Sequence, residues 1–246
     1  MKAGNEVLKL AKTRDYCTSK KPKLTVVMIH GIASNSHSYD QALEYFAEDE
    51  SLRDVRFVTF DLLGSGESYA GDELSYDYDD QIEALHNSIA DLKVGDAPLV
   101  LVGHSLGTFI VTRYADTYPG EVVELVLISP PIYTPRDFSD PAFADGVKAF
   151  EKTVGAKNPE ILMTKAFRNS MDKIVMDENN YAVLAGLKTP VVLVYGDEDQ
   201  LIASYNVPEL LKENSQVTAI KTVGRHSVTR DKYMELAKIL ERILHA

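Results

Sequence analysis

The sequence predicts an α/β fold: a mostly parallel central sheet flanked by helices, with a short helical cap. Three observations carry that prediction. Short runs of Val, Ile and Leu alternate with amphipathic stretches, the order of a sheet built from βα repeats. Most of those runs are apolar at every position rather than at every second one, as strands covered on both faces must be. One interval, 131–188, has no strand pattern and breaks the rhythm.

The elements follow in order. Residues 6–18 carry a weak pattern for one or two edge strands. LTVVMI (Leu24–Ile29) is the first strong strand and precedes an amphipathic stretch near 37–49. VRFVTF (Val55–Phe60) precedes a helical pattern near 77–93, and PLVLV (Pro98–Val102) runs into another at 106–118. VVELVLIS (Val122–Ser129) ends the first block. Later, PVVLVY (Pro190–Tyr195) precedes 203–213, and VTAIKTV (Val217–Val223) precedes 229–244. The chain therefore divides into a core of 1–130 and 189–246 and an insertion of 131–188. Within the insertion, PPIYTPRDFSDP leads to helical patterns around 140–154 and 158–175. Phe143, Val147 and Phe150 fall at helical spacing, as do Met163, Phe167, Met171 and Ile174. Two readings stay open: the stripes pack on the main body, or they form a lid that lines a substrate pocket.

The 246 residues suit one large α/β unit. With 45% hydrophobic and 26% charged residues, a packed core is expected. The net charge of −11 argues against a nucleic-acid partner and against attraction to anionic lipid. The single cysteine, Cys17, excludes an internal disulfide and a multi-thiolate metal site. The first residues, MKAGNEVLKLAKTRDYC, lack the apolar centre of a signal peptide, and no apolar run is long enough to cross a bilayer. The expectation is a soluble cytoplasmic protein without membrane insertion. Oligomeric state is not legible.

One stretch, PLVLVGHSLGT at 98–108, raises a chemical question. A strand of β-formers ends in a serine between two glycines, Gly103 and Gly107, where a helix must begin. Serine at such a junction can be a helix cap. The G-x-S-x-G spacing at a strand–helix turn also fits a nucleophile elbow, which holds the serine Oγ clear of the sheet on strained backbone. A serine nucleophile needs a base, and the base needs an orienting group. Of six histidines, His226 lies after the last strand, where parallel sheets place functional loops. His104 and His30 read as structural, His30 through hydrogen bonds to backbone. For the acid, VVLVYGDEDQLI ends a strand with Asp197, Glu198 and Asp199, and any of them could orient a histidine.

These motifs together resemble the α/β-hydrolase superfamily over nearly the whole chain. HGIAS at 30–34 resembles the family's H-G-x segment, DLLGSGES at 61–68 its D-x-x-G-x-G-x-S loop, GHSLG its elbow and YGDED at 195–199 its G-x-x-D acid loop. The order serine, acid, histidine is also the family's. The resemblance implies Ser105 as nucleophile, Asp199 as the acid with Asp197 as runner-up, and His226 as base. It implies an oxyanion hole from the backbone N–H groups of Ile32 and Leu106, with Asp61 bracing the glycine loop. It implies no metal and no organic cofactor. Ser105 argues against the branches that use an aspartate nucleophile. Ser227 stands where many carbon–carbon bond hydrolases carry tryptophan, and the chain has no tryptophan. Thr108 replaces a small glycine common after the elbow. The implied activity is a carboxylesterase acting on a small-molecule ester with a small or medium acyl group. A thioesterase, a carbon–carbon hydrolase and a ligand sensor with negligible turnover are the alternatives.

Overall fold

Seven strands form one sheet in the order β1-β3-β2-β4-β5-β6-β7 in the computed structural model, which describes residues 7–246. They are β1 (Ala11–Tyr16), β2 (Leu24–Ile29), β3 (Val55–Asp61), β4 (Leu99–His104), β5 (Glu124–Ile128), β6 (Val191–Gly196) and β7 (Val217–Thr222). Only β1 is antiparallel, pairing with β3 with a register shift between Lys12 and Arg14; every other pairing is parallel. The weak 6–18 pattern thus resolves into one edge strand, its first residue lying outside the described residues, as do the first six of the N-terminal stretch.

The all-apolar strands are covered on both faces. Val27, Ile29 and Leu101 point into one core with Leu85 of α2 (Tyr78–Asp91) and Ile110 and Tyr114 of α3 (Leu106–Thr117). Val26, Met28 and Val102 point into the other, against Phe46 of α1 (Asp40–Glu48) and Leu236 and Leu240 at the C-terminal helix, Arg230–Leu244. Residues one apart on a strand face opposite ways, so both layers needed apolar side chains.

The 131–188 segment is entirely helical or irregular. It holds α4 (Pro135–Phe138), α5 (Pro141–Lys157), α6 (Lys165–Ser170), a π turn at Met171–Val175 and α7 (Asn180–Gly186). The 158–175 pattern is therefore broken into short pieces, and α4 and α7 were not visible as patterns. After β6 comes α8 (Val207–Glu213), shorter than the 203–213 pattern because Ser204–Asn206 winds as a 3-10 turn; Arg230–Leu244 is α9. The 17-residue α5 has no buried residue, whereas Phe167, Met171 and Ile174 are buried. The two stripes thus differ: the second packs on the body from Phe167 onward, with Met163 left 69% exposed, and the first has no buried residue.

The strand order places the functional end. From β2 the chain adds β3 on one side, then crosses back to put β4 on the other. Parallel sheets open a crevice at the carboxyl ends of strands at such a reversal. The loops after β2 and β4 meet there.

Candidate active site

The turn between β4 and α3 is sharp enough to force Ser105 to φ 51°, ψ −116°, a region hostile to any residue with a Cβ. Its neighbours show why they are glycines. A Cβ on Gly103 would stand 2.5 Å from the Gly107 carbonyl oxygen, and one on Gly107 would stand 2.3 Å from the Ile29 carbonyl oxygen. Backbone contacts that short cannot be relieved by a rotamer change. Gly107→Ala is expected to destabilise the fold by about 2–3 kcal/mol, read as a shift in the denaturant midpoint at unchanged slope; an unshifted midpoint would contradict this packing.

From that turn the Ser105 Oγ lies 2.8 Å from His226 Nε2. His226 Nδ1 lies 3.0 and 3.1 Å from the two carboxylate oxygens of Asp199. An ionised carboxylate only accepts, so Nδ1 carries the proton and Nε2 accepts from the serine hydroxyl. The Asp199 side chain is fully buried and the His226 side chain is 21% exposed. Burial pushes the Asp199 pKa up, but the hydrogen bond and charge of His226, the Leu201 amide at 3.0 Å and the Ser129 hydroxyl outweigh it and hold the carboxyl below its usual value. Asp197 does something else: it accepts from the Gly224 N–H at 3.0 Å, tying the loops after β6 and β7.

Ile32 and Leu106 line one cavity with Ser105 and His226. Leu106 opens α3, so its N–H has no intrahelical acceptor. Among the described residues neither amide has a protein acceptor. The Ile32 amide is held indirectly. His30 is fully buried; its Nε2 accepts from the Leu62 N–H at 3.0 Å, leaving Nδ1–H to donate to the Gly31 carbonyl at 2.7 Å. That carbonyl and the Ile32 N–H belong to one planar peptide, so fixing one aims the other. Burial depresses the His30 pKa, keeping the ring neutral. Asp61, also buried, accepts from the amides of Ser36 at 2.7 Å and Glu67 at 2.9 Å, joining the loop after β2 to the glycine loop after β3.

The cavity is about 230 Å³. Its walls are largely apolar, with Phe143, Val147 and Phe150 from α5, Met171 and Val175 from the π turn, and Leu201. Two aspartates, Asp137 and Asp140, and no cationic side chain line it. Asp137 is saturated: the amide and hydroxyl of Thr134, Asn206 Nδ2 and the Tyr205 hydroxyl all donate to it. Among the described residues no group of three His, Cys, Asp or Glu side chains could hold a metal ion, and no helix is long and apolar enough to cross a membrane.

Two features escaped sequence reading. Ser129, at φ 49° after β5, favours the charged form of the acid, and Lys232 of α9, fully buried, donates to its hydroxyl oxygen at 2.8 Å. A lysine on the stripe that carries Leu236 and Leu240 was the available signal.

A reversed-order parallel sheet with a strained serine after β4, and an acid and a histidine after β6 and β7, defines the architecture of the α/β hydrolases. The chain belongs to that family: the alpha/beta hydrolase fold model matches residues 25–162. Among curated proteins it is similar to the probable lysophospholipase BODYGUARD 2 of Arabidopsis thaliana, 31% identical over 115 residues, 47% of this chain and 24% of the relative. It is also similar to the monoacylglycerol lipase ABHD6 of Bos taurus, 22% identical over 260 residues, 89% of this chain and 74% of the relative. The chain thus spans only about a quarter of the length of the plant relative. Among solved structures, an esterase from Exiguobacterium antarcticum superposes with a TM-score of 0.74 at 18% identity, covering 95% of this chain and 94% of that one.

Proposed function

We propose that the chain is a serine hydrolase, a carboxylesterase that cleaves small or medium acyl esters through an acyl-enzyme. The observation that carries this reading is the Ser105–His226 contact of 2.8 Å in the lining of a largely apolar cavity of about 230 Å³. In the proposed reaction Ser105 Oγ attacks the ester carbonyl carbon while His226 Nε2 takes the hydroxyl proton. The carbonyl π electrons move onto oxygen, where the Ile32 and Leu106 amides receive the developing charge. Collapse of the tetrahedral intermediate breaks the bond to the alkoxy oxygen, which leaves with the proton from His226. Water, deprotonated by the same ring, then attacks the acyl carbon and frees Ser105.

The 131–188 segment serves as the cap in this reading, with the α5 stripe of Phe143, Val147 and Phe150 lining the acyl site. The relatives named as lipases and esterases support ester cleavage. The lining supports a neutral substrate, since a carboxylate or phosphate there would meet Asp137 and Asp140 with no cation to balance it. The same lack of cations sets the reading apart from phosphate-bearing lipids.

A panel of p-nitrophenyl esters from acetate to decanoate, run on wild type and Ser105→Ala, tests the proposal. Turnover that peaks at short or medium chains and vanishes in the variant is expected. A ligand sensor would instead show ligand-induced stabilisation without turnover. Fluorophosphonate labelling followed by peptide mapping is expected to mark Ser105; labelling elsewhere would overturn the assignment. A subtler prediction concerns His30. His30→Ala frees the Gly31–Ile32 peptide and is expected to lower kcat about 10²-fold, the scale of one misplaced oxyanion donor, with KM nearly unchanged. An unaltered kcat would remove Ile32 from the proposed pair.

A further inference from the structure

Lys232 is an unusual expense. It lies on the first turn of α9 and is fully buried, where desolvating an ammonium is costly unless every proton is satisfied. Among the described residues it forms no ion pair within contact distance. Instead its Nζ donates to Ser129 Oγ at 2.8 Å, to the Ser227 carbonyl at 2.8 Å and to the Arg225 carbonyl. The remaining carbonyl of this run, that of His226 itself, lies 2.8 Å from His104 Nε2. Three successive carbonyls, 225 to 227, are therefore held by two side chains, Lys232 and His104. The third lysine partner, Ser129, stands beside Asp199, and its hydroxyl favours the charged carboxylate. A methionine or leucine could fill the same space without a buried charge, so packing alone does not account for the lysine.

We propose that Lys232 is a positioning residue: its ammonium clamps the loop bearing His226 from one side and, through the Ser129 hydroxyl, braces the Asp199 carboxylate from the other. The inference rests on the hydrolase reading. It assigns one side chain to the alignment of both partners of Ser105. No other side chain offers three tetrahedral donors and no acceptor, which is what two backbone carbonyls and a hydroxyl oxygen converging on one point require.

The clamp is strongest when Lys232 is charged. Burial pulls its pKa down to about 8, against the opposing effect of Asp199. Two of the groups facing it keep one charge state between pH 7 and 9.5. Asp199 is held ionised, and His104, whose pKa burial and the neighbouring His226 drive down to about 3, is neutral throughout. The Arg225 guanidinium points outward to Glu198 and stays charged, and His226 is the base of the proposed reaction. Loss of the Lys232 proton removes one of the three hydrogen bonds and the charge.

The test compares wild type with Lys232→Met on p-nitrophenyl butyrate from pH 6.5 to 9.5, with melting temperatures taken in parallel. Wild-type kcat is expected to fall through about pH 8. Lys232→Met is expected to lower kcat at pH 7 about 10- to 100-fold, the scale of a misalignment near 1 Å, with KM within twofold and no decline through pH 8. A purely structural role would lower the melting temperature and leave the shape of the pH profile alone. Should the variant fail to fold, Ser129→Ala, which removes one of the three acceptors of Lys232, takes its place: a kcat within twofold of wild type overturns the proposal. Absence of wild-type turnover sinks the hydrolase reading and the clamp with it, whereas turnover that Lys232→Met leaves unchanged sinks the clamp alone.

Discussion

Ser105→Ala is expected to lower kcat on p-nitrophenyl esters by about 10⁵- to 10⁶-fold while leaving the protein folded. The size follows from the geometry. His226 Nε2 has one side-chain partner, the Ser105 hydroxyl at 2.8 Å, so without that oxygen no covalent step remains. The free Ile32 and Leu106 amides and the apolar cavity would persist, and in serine enzymes such remnants still give about 10³- to 10⁴-fold over water. The fold should not suffer, because the Oγ bonds nothing structural. A companion variant sharpens the point. Ser105 sits at φ 51°, ψ −116°, a conformation that costs about 1–3 kcal/mol for a residue with a Cβ. Ser105→Gly relieves that strain, offset by about 1 kcal/mol of added backbone freedom in the unfolded chain. It is expected to be equally inactive yet at least as stable as wild type in urea. Stability gained where activity is lost is the signature of a residue kept for chemistry. Retained turnover in either variant would refute the nucleophile.

Much of this site could be read from residue order because the chemistry sits at strand ends. Ser105 is flagged by the two glycines that its turn requires, and the glycine contacts of 2.5 and 2.3 Å show the requirement is steric. The choice between Asp197 and Asp199 could not be made from spacing within the acidic run alone. It depends on which carboxylate the β6 end turns inward, and Asp197 is drawn instead to the Gly224 amide. His30 read as a backbone-bonding loop residue, and its two backbone partners are Gly31 and Leu62. What periodicity could not supply was the interior of the 131–188 segment. Its α6, π turn and α7 are short and held by contacts to the body, such as the Tyr78 hydroxyl reaching Asn180. Elements of five to seven residues gain stability from packing rather than from their own sequence. Lys232, though it shares the stripe of Leu236 and Leu240, did not stand out for a related reason. A charged residue on an amphipathic helix reads as solvated until its three acceptors, which lie on Ser129 and on the loop before α9, are brought to it by the fold.

Asp199→Asn tests how far that buried network is electrostatic. The amide nitrogen would donate to His226 Nδ1, which favours the tautomer with its proton on Nε2. That proton would point at the Ser105 oxygen and leave Nε2 no lone pair to take the hydroxyl proton, and kcat is expected to fall about 10⁴-fold. The second consequence is in stability. Asp199 has its pKa lowered in the folded chain, burial notwithstanding, by His226, the Leu201 amide and Ser129. A carboxyl of the unfolded chain titrates near 3.9, so as pH falls through that value the unfolded state binds the proton first. The stabilisation by Asp199 is therefore full above pH 5 and is lost progressively as pH approaches its folded pKa. Wild type should lose more stability than Asp199→Asn between pH 5 and 3, because the asparagine has no proton to bind. Urea midpoints of the two proteins across that range should converge on acidification. If they instead run parallel, the Asp199 carboxylate is not favoured by its surroundings in the folded state. The case for His226 as an imidazole oriented by a charged partner would then fall, however short the 3.0 Å contact between them.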